Sequence, residues 1–400
     1  GPFLNRLRQA ARRTLRLPVS CSSLCRDALQ ATIFLMKPAQ LNDLVFARSL
    51  RPDADGDIVD LTNDSRKVRP GWLYAALPGE HFDGHDFIGA AVEAGASAIL
   101  CREVPGSLPD GIALFQSDRP RLALSELSHV IHQRPSGRLT VIGVTGTDGK
   151  TSTVYFIYQL LKMLGLRAGF LSSAARDAGR GEEANPLHQS TPEAPEVHRT
   201  LATMLENGVE YAVVESTSHG LSTKTARLAH VVYDVAVLTN MSREHLEFHG
   251  NFEQYRHDKA NLFRALDFGG YAHAGEVAVR DVDPPEVGGS TEAKSPAVSL
   301  AQFSGKPFAV ANADDATFRY FATATTRPCL TYGLYDASLS AEKLALHAAG
   351  SEFELHTPGL ASISCCFNVP GAFSVYNALA AVTAVTAITG QPIDRVANLL

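Results

Sequence analysis

Apolar positions along this chain recur in two rhythms. From about residue 36 to 135, short strand-like runs alternate with helix-like ones. Residues 58–61, 72–77 and 96–100 read as strands, and 87–93 and 122–132 carry helical spacing. Arg134-Pro135-Ser136-Gly137 interrupts the pattern with turn residues, so a domain boundary is expected there. Beyond it the rhythm becomes β-α-β. Residues 139–145 form a continuous apolar strand, and the helix expected over about 151–164 sets Val154, Ile157, Tyr158, Leu161 and Leu164 on one side. Further apolar strands are expected at 168–171, 211–215 and 234–238, with helices at about 193–206 and 251–266 between them. Such strands, separated by helices, imply an α/β fold with a mostly parallel sheet covered on both faces. Residues 277–305 mix Pro, Gly, Ser and charge without a period and read as a surface excursion. Thr331-Tyr332, residues 353–355 and residues 363–367 suggest antiparallel strands, and the Ala-rich run 371–387 a closing helix.

Composition narrows the class. The chain has 400 residues, 45% hydrophobic and 20% charged, which fits two or three globular domains rather than a disordered polymer. A net charge of −6 supplies no global basic field for nucleic acid or an anionic membrane. No uninterrupted apolar run reaches bilayer length, so no membrane span is expected. The six cysteines, Cys21, Cys25, Cys101, Cys329, Cys365 and Cys366, form no C-x-x-C pair. That argues against a disulfide scaffold or a four-cysteine zinc site and fits a reducing, cytoplasmic compartment. Residues 1–35 carry six arginines against Asp27 and read as a basic tail behind a Gly-Pro scar, with Met36 as the natural start; a transit peptide is the alternative. The sequence stops at Leu400 inside an apolar stretch without a helix-capping signal, so the natural chain is expected to continue.

The strongest chemical signal is Val144-Thr145-Gly146-Thr147-Asp148-Gly149-Lys150-Thr151, set between the strand at 139–145 and the following helix. Glycines there allow a tight turn whose N–H groups cradle phosphate. A helix N-terminus adds donors and dipole, Lys150 can neutralise β/γ-phosphate charge, and the Thr151 hydroxyl can hold Mg²⁺. Position 144 is Val where the full Walker pattern has its first Gly. Glu215 ends the next strand, where a carboxylate can hold the same ion. Thr239-Asn240-Met241-Ser242-Arg243-Glu244-His245 follows a third strand at the same sheet edge. In the 251–266 helix the apolar stripe is Phe252, Tyr255, Leu262, Phe263 and Leu266, with Lys259 in its middle and Glu253, His257, Asn261 and Arg264 expected on the polar face. An inward lysine needs a partner or a changed charge. Addition of CO₂ would make it a carbamate, an anionic oxygen ligand suited to Mg²⁺.

Together these stretches resemble the Mur ligases, the ATP-dependent amide-forming enzymes of peptidoglycan synthesis. The resemblance runs from Met36 to Leu400 through Asp64-Ser65-Arg66-Lys67-Val68, residues 79–87, 146–151, Ser190-Thr191-Pro192-Glu193, 215–221, 239–250 (TNMSREHLEFHG), 255–263 (YRHDKANLF) and 371–377 (GAFSVYN). It is strongest to the members that add the third residue of the peptide stem. The resemblance implies a small N-terminal α/β UDP-binding domain over 36–135 and a P-loop-type ATP-binding domain over 136–400. The family's C-terminal Rossmann-like domain is not found. It implies ATP phosphates on Gly146, Thr147, Asp148, Gly149, Lys150 and Thr151, with Asn377 near the base. Mg²⁺ would sit on Thr151 and Glu215, and a second ion on His245 and carbamylated Lys259. Ser65, Glu80, His81 and Phe82 would contact UDP. Ser190, Thr191, Thr217, Thr225 and Arg227 would hold the diphosphate, sugar and peptide, and a guanidinium suits a diphosphate through paired charge-assisted bonds.

The implied reaction takes ATP, UDP-MurNAc-L-Ala-D-Glu and a free amino acid, with Lys150, Lys259 and His245 as catalytic groups and the chain as a monomer. Several positions depart from the family pattern. Ser216-Thr217-Ser218-His219 replaces the commoner Ser-Ser-His, two extra residues separate His219 from Arg227, and Ser374 stands where many members have Asn. Two other readings remain. A folylpolyglutamate-synthetase-like ligase would bind folate and need no UDP-binding first domain. A non-catalytic nucleotide-binding protein would keep the fold without the closing domain.

Overall fold

Two sheets organise the chain, and in each the inner strands are apolar on both faces. The computed structural model describes residues 35–79, 82–185, 191–242, 246–273, 300, 303 and 305–400. Leu35–Leu400 form one compact unit. The first sheet runs in the order Arg48–Ser49, Ala113–Gln116, Ala98–Cys101, Trp72–Ala75, Asp60–Thr62. Its last four strands are parallel, and Arg48–Ser49 pairs antiparallel at one edge. Asp60–Thr62 is the other edge, and the chain leaves it directly into the 3₁₀ turn Ser65–Lys67.

The second sheet has eleven strands. Its parallel centre is Leu339–His347, Cys329–Gly333, Phe308–Asn312, Val235–Leu238, Thr140–Thr145, Tyr211–Glu215 and Ala168–Leu171. Antiparallel strands extend both ends: Gly350–His356 and Ile363–Phe367 at one, Ala175–Asp177 and Glu183–Ala184 at the other. Successive residues of a strand point to opposite faces, so each central strand feeds two cores. Val141, Ala212, Val214, Ala236 and Leu238 pack under the helices Ala194–Glu206 and Phe252–Phe268. Ile142, Val144, Val213, Val235 and Val237 pack under the helices Lys150–Met163 and Ala372–Thr389. This is why the strands read as continuous apolar runs. Ala372–Thr389 is apolar enough in length and composition to cross a bilayer, yet two-thirds of it (67%) is buried in this core.

The expected α/β architecture with a mostly parallel central sheet is present. Two expectations change. Cys329–Gly333 is parallel to both neighbours, not antiparallel, because the short helix Phe318–Ala322 carries the chain back to the same sheet end after Phe308–Asn312. A five-residue apolar run carries no record of its direction. On the helix Phe252–Phe268, Lys259 is buried as the stripe implied, but Asn261, expected on the polar face, is buried too, with its amide donating to the Leu221 carbonyl at 2.9 Å. The helix is covered on more than one side. Most of the 277–305 excursion lies outside the described residues.

The two sheets share one core. The helix Pro120–Ile131 lies on the first sheet and packs on Ala194–Glu206 of the second, and Leu100, Phe115, Leu127, Val197 and Leu201 belong to one continuous apolar cluster. Histidines sit in the seam. The His129 and His198 rings are 5.2 Å apart, His129 and His230 6.4 Å, and Phe46 meets His230 edge-on at 5.5 Å. His198 is fully buried, and neither of its ring nitrogens has a hydrogen-bond partner among the described residues. Burial, aided by the charge of Arg134, pushes His129 down to about 4, and burial drives His198 well below its ordinary range. The folded chain therefore binds fewer protons than the unfolded chain between roughly pH 4 and 6.5. Stability rises with pH across that window and is lost as pH falls through it. Calorimetric melting from pH 7.5 to 4.5 is expected to show a falling midpoint, with His129 contributing up to about 1.4 kcal/mol per pH unit. The slope should be shallower in a His198→Leu variant.

Candidate functional site

The turn after Thr140–Thr145 is held mainly by the neighbouring strand end. Gly146 and Gly149 both take positive φ, +146° and +76°. A Cβ on Gly146 would collide with the Thr239 hydroxyl, and one on Gly149 with the Asn377 amide oxygen. Both positions therefore require glycine. The Thr147 N–H donates to the Asn240 carbonyl at 2.8 Å, and the Asp148 N–H to the Asn240 side-chain oxygen at 3.0 Å. The Thr239 hydroxyl and the Asn240 amide donate back to the Asp148 carbonyl, at 2.6 and 3.1 Å. Buried Thr147 accepts from the Ser242 N–H at 2.8 Å. The helix Lys150–Met163 then starts at the strand's carboxyl end, where its first-turn N–H groups concentrate positive dipole. Lys150 lies over the turn, its ammonium donating to the Thr147 carbonyl at 2.6 Å.

A carboxylate faces the first turn of that helix. Glu215 is buried at the end of Tyr211–Glu215, and its Oε2 accepts from the Thr151 hydroxyl at 3.1 Å. The same oxygen accepts from the Ser173 N–H at 2.8 Å and the Ser173 hydroxyl at 3.1 Å. Hydroxyl and carboxylate oxygens are the hard donors Mg²⁺ takes, so Thr151 and Glu215 fit that ion. Ser173 was not foreseen from the sequence. It follows Ala168–Leu171 at the same sheet edge, and the strand-end argument used for Glu215 would have found it.

Lys259 reaches the opposite side of the same turn. It is 1% exposed, its nitrogen donates to the Gly146 carbonyl at 2.5 Å, and it sits 4.7 Å from the centre of the Tyr255 ring. Beside it His249 Nδ1 and Asp258 Oδ2 are 2.8 Å apart, with both side chains buried. Burial would raise Asp258, but hydrogen bonds from His257, Ser222, Gln254 and His249 outweigh it and hold the carboxyl below its usual range. Burial lowers His249 against the pull of Asp258, and the Lys259 charge adds to that lowering. His245 lies outside the described residues, and no cluster of three His, Cys, Asp or Glu side chains suited to a metal occurs among the described ones.

A second group forms below Glu215. The Thr191 and Thr217 hydroxyls are buried and 2.7 Å apart. Arg227 donates to the Thr191 carbonyl at 2.8 Å and pairs with Glu193 at 2.7 Å, while its Nε has no partner among the described residues. The two extra residues before Arg227 thus do not keep it from Thr191. Thr225 turns inward instead, its hydroxyl donating to the His219 carbonyl. On the first sheet, Ser65 is half-buried in its turn and Phe82 is 75% exposed. Glu80, His81 and Ser190 lie outside the described residues. Asn377 is buried against Gly149, near the start of Ala372–Thr389. The structure therefore joins Gly146–Thr151, Glu215, Lys259 and Asn377 at one end of the sheet, and Thr191, Thr217 and Arg227 beside them.

Comparison with known proteins follows the same outline. The Mur ligase middle domain matches residues 144–283 and 291–385, and the Mur ligase family catalytic domain matches 57–128. A UDP-N-acetylmuramyl-tripeptide synthetase of Treponema pallidum is 43% identical over 276 residues, covering 69% of this chain and 46% of that protein. One of Treponema denticola is 39% identical over 355 residues, covering 82% and 60%. The chain thus spans about half the length of these relatives. A UDP-N-acetylmuramoyl-L-alanyl-D-glutamate–2,6-diaminopimelate ligase of Bacillus velezensis is 34% identical, covering 91% of this chain and 67% of that one. A solved structure of a ligase with the same description superposes with a TM-score of 0.66 at 24% identity, covering 86% of this chain and 62% of that one, and shows the shared fold. With family models matching both sheets and a relative 34% identical over most of the chain, the chain belongs to the Mur ligase family.

Proposed function

We propose that this chain carries the nucleotide- and UDP-sugar-binding parts of an ATP-dependent ligase that adds the third amino acid to UDP-MurNAc-L-Ala-D-Glu. The observation that carries this reading is the convergence of Thr151, Glu215 and Lys259 on the Gly146–Lys150 turn, in a chain whose relatives are named for that product. Residues 36–135 would take the UDP moiety through Ser65, Phe82, Glu80 and His81. Residues 136–400 would take ATP on Gly146 to Thr151 and Asn377, and the sugar-peptide on Ser190, Thr191, Thr217, Thr225 and Arg227.

The reaction has two steps. The substrate's terminal carboxylate attacks the γ-phosphorus of ATP, displacing ADP and forming an acyl phosphate. The amine of the incoming amino acid then attacks the acyl carbon, and the tetrahedral intermediate expels phosphate. Carboxylate and triphosphate are both anions, so positioning and electrostatic stabilisation dominate such transfers. Lys150 and the first-turn N–H groups of the helix Lys150–Met163 would supply fixed positive charge at the phosphates. Thr151 and Glu215, and His245 with Lys259, would hold Mg²⁺, which would neutralise charge on the phosphate oxygens.

Lys259 would act there as a carbamate. Its neutral amine adds to CO₂, an N–C bond forms, and one proton leaves to solvent. The product turns a cationic side chain into an anionic oxygen donor within reach of the turn. In ¹³C-bicarbonate the chain is expected to give a carbamate carbonyl NMR signal that Lys259→Ala removes. A spectrum identical in both chains would sink this role.

Binding tests the rest. Calorimetry is expected to show selective binding of UDP-MurNAc-L-Ala-D-Glu over UDP-GlcNAc and over a folate. Folate binding without UDP-sugar binding would overturn the reading. Glu215→Gln is expected to weaken Mg²⁺-dependent ATP binding by about tenfold or more, while leaving UDP-sugar affinity unaltered. Equal Mg²⁺ dependence in the two chains would remove Glu215 from the metal site.

A further inference from the structure

Among the described residues, the tightest ion pair crossing between the two sheets lies where the first sheet runs into its proposed ligand loop. Arg199, on the helix Ala194–Glu206, meets Asp60 side-on: Nε donates to Oδ2 and Nη2 to Oδ1, both at 2.9 Å. Nη2 also donates to the Leu61 carbonyl at 3.2 Å, and Nη1 to Glu196 at 2.5 Å. The guanidinium stands 5.4 Å from the centre of the Trp72 ring. His132 Nε2 lies 3.3 Å from Asp60 Oδ1. We infer that Arg199 and Asp60 are positioning residues for the UDP-sugar substrate, holding the Ser65 turn at a fixed offset from the Thr191–Arg227 group so that one ligand can span both. The inference rests on the proposed reading of those two groups as ligand contacts.

The covalent path is short on both sides of the clamp. Asp60–Thr62 is the edge strand; the Thr62 hydroxyl accepts from the Asp64 N–H at 3.1 Å, and Asp64 accepts from the Arg66 N–H at 3.1 Å to cap the turn that begins at Ser65. On the other side, Thr191 and Glu193 immediately precede the helix that carries Arg199. Glu193 pairs with Arg227 at 2.7 Å and lies 3.9 Å from Arg121 of the first sheet's helix Pro120–Ile131. A bidentate guanidinium–carboxylate pair fixes orientation as well as distance, which a single lysine contact does not. The pair is largely withdrawn from water, with side-chain exposures of 31% and 16%. Burial would raise Asp60, but His132 and Arg199 outweigh it and hold the carboxyl at about 2, so the clamp stays charged throughout the neutral range.

The energetic consequence is specific. A ligand that touches two half-sites gains the second contact intramolecularly only if both stand at the right separation. Loosening the clamp leaves each half-site intact and removes that gain. The loss therefore falls on the long ligand and spares UDP alone.

The experiment uses the 400-residue chain with two probes, UDP and UDP-MurNAc-L-Ala-D-Glu, titrated calorimetrically into wild type, Arg199→Met, Arg199→Lys, Asp60→Asn and the exchanged pair Arg199→Asp with Asp60→Arg. The expected result is UDP affinity within about twofold of wild type and a loss of about five- to a hundredfold in the advantage of the long ligand. Arg199→Lys should fall between, and the exchanged pair should recover part of the advantage. Trp72 is the chain's single tryptophan, so its emission reports the clamp directly and should change in Arg199→Met before any ligand is added. Unchanged emission would show that the clamp is not formed in solution and would overturn the inference. So would an unchanged advantage in Asp60→Asn and Arg199→Lys, or a proportionate loss for both probes, which marks a merely structural role. Failure of wild type to bind either probe would instead defeat the substrate reading beneath it.

Discussion

The site depends on one strand end propping another. The Gly146–Gly149 turn takes positive φ at both glycines and finds backbone partners in the neighbouring strand end. Asn240 braces the turn, accepting from Thr147 and Asp148 and donating to the Asp148 carbonyl. That bracing exists only because Val235–Leu238 lies beside Thr140–Thr145 in parallel register, with Thr239 following directly after Leu238. Parallel strands end together at their carboxyl edge. The same register sets Glu215 opposite Val144 and lets its carboxylate reach Thr151.

Lys259 approaches the turn from the other side for a related reason. Its helix packs on the sheet through Leu262, Phe263 and Leu266, and a residue one turn earlier on that face must point at the strand end. The Gly146 carbonyl and the Tyr255 ring receive it. The Lys259 nitrogen is thus held at the strand end by the packing of its own helix. The same packing buries the His249–Asp258 pair beside it, so charge is arranged around the turn in a volume largely closed to water.

The first sheet is tied to this centre by an apolar core and, at its edge, by charge. The shared cluster through Leu127, Val197 and Leu201 supplies area without direction. The Arg199–Asp60 pair supplies direction, and it acts on the strand that feeds the Ser65 turn. The histidines of the seam add a cost at low pH, because His198 has no room for a charge.

Much of the centre was legible in the residues alone. The glycine-lysine-threonine turn, the acid at the end of Tyr211–Glu215 and the lysine inside an apolar stripe each break a local pattern, and such breaks are visible wherever strand and helix periods are clear. What stayed hidden was pairing between segments distant in sequence. Arg199 looks like any solvated helical arginine, and Asp60 like a strand-end acid, until a separation of 139 residues is closed. Ser173 can be named as a strand-end residue, but its bond to Glu215 shows only once the two strands lie side by side. The direction of Cys329–Gly333 follows from a crossover, and a short apolar run reads alike both ways. Sequence determined the elements and the chemistry each one carries, because periodicity and side-chain type are local properties. Only the tertiary structure decided which of those side chains meet, because sheet order and register bring distant segments together and neither is written in any single segment.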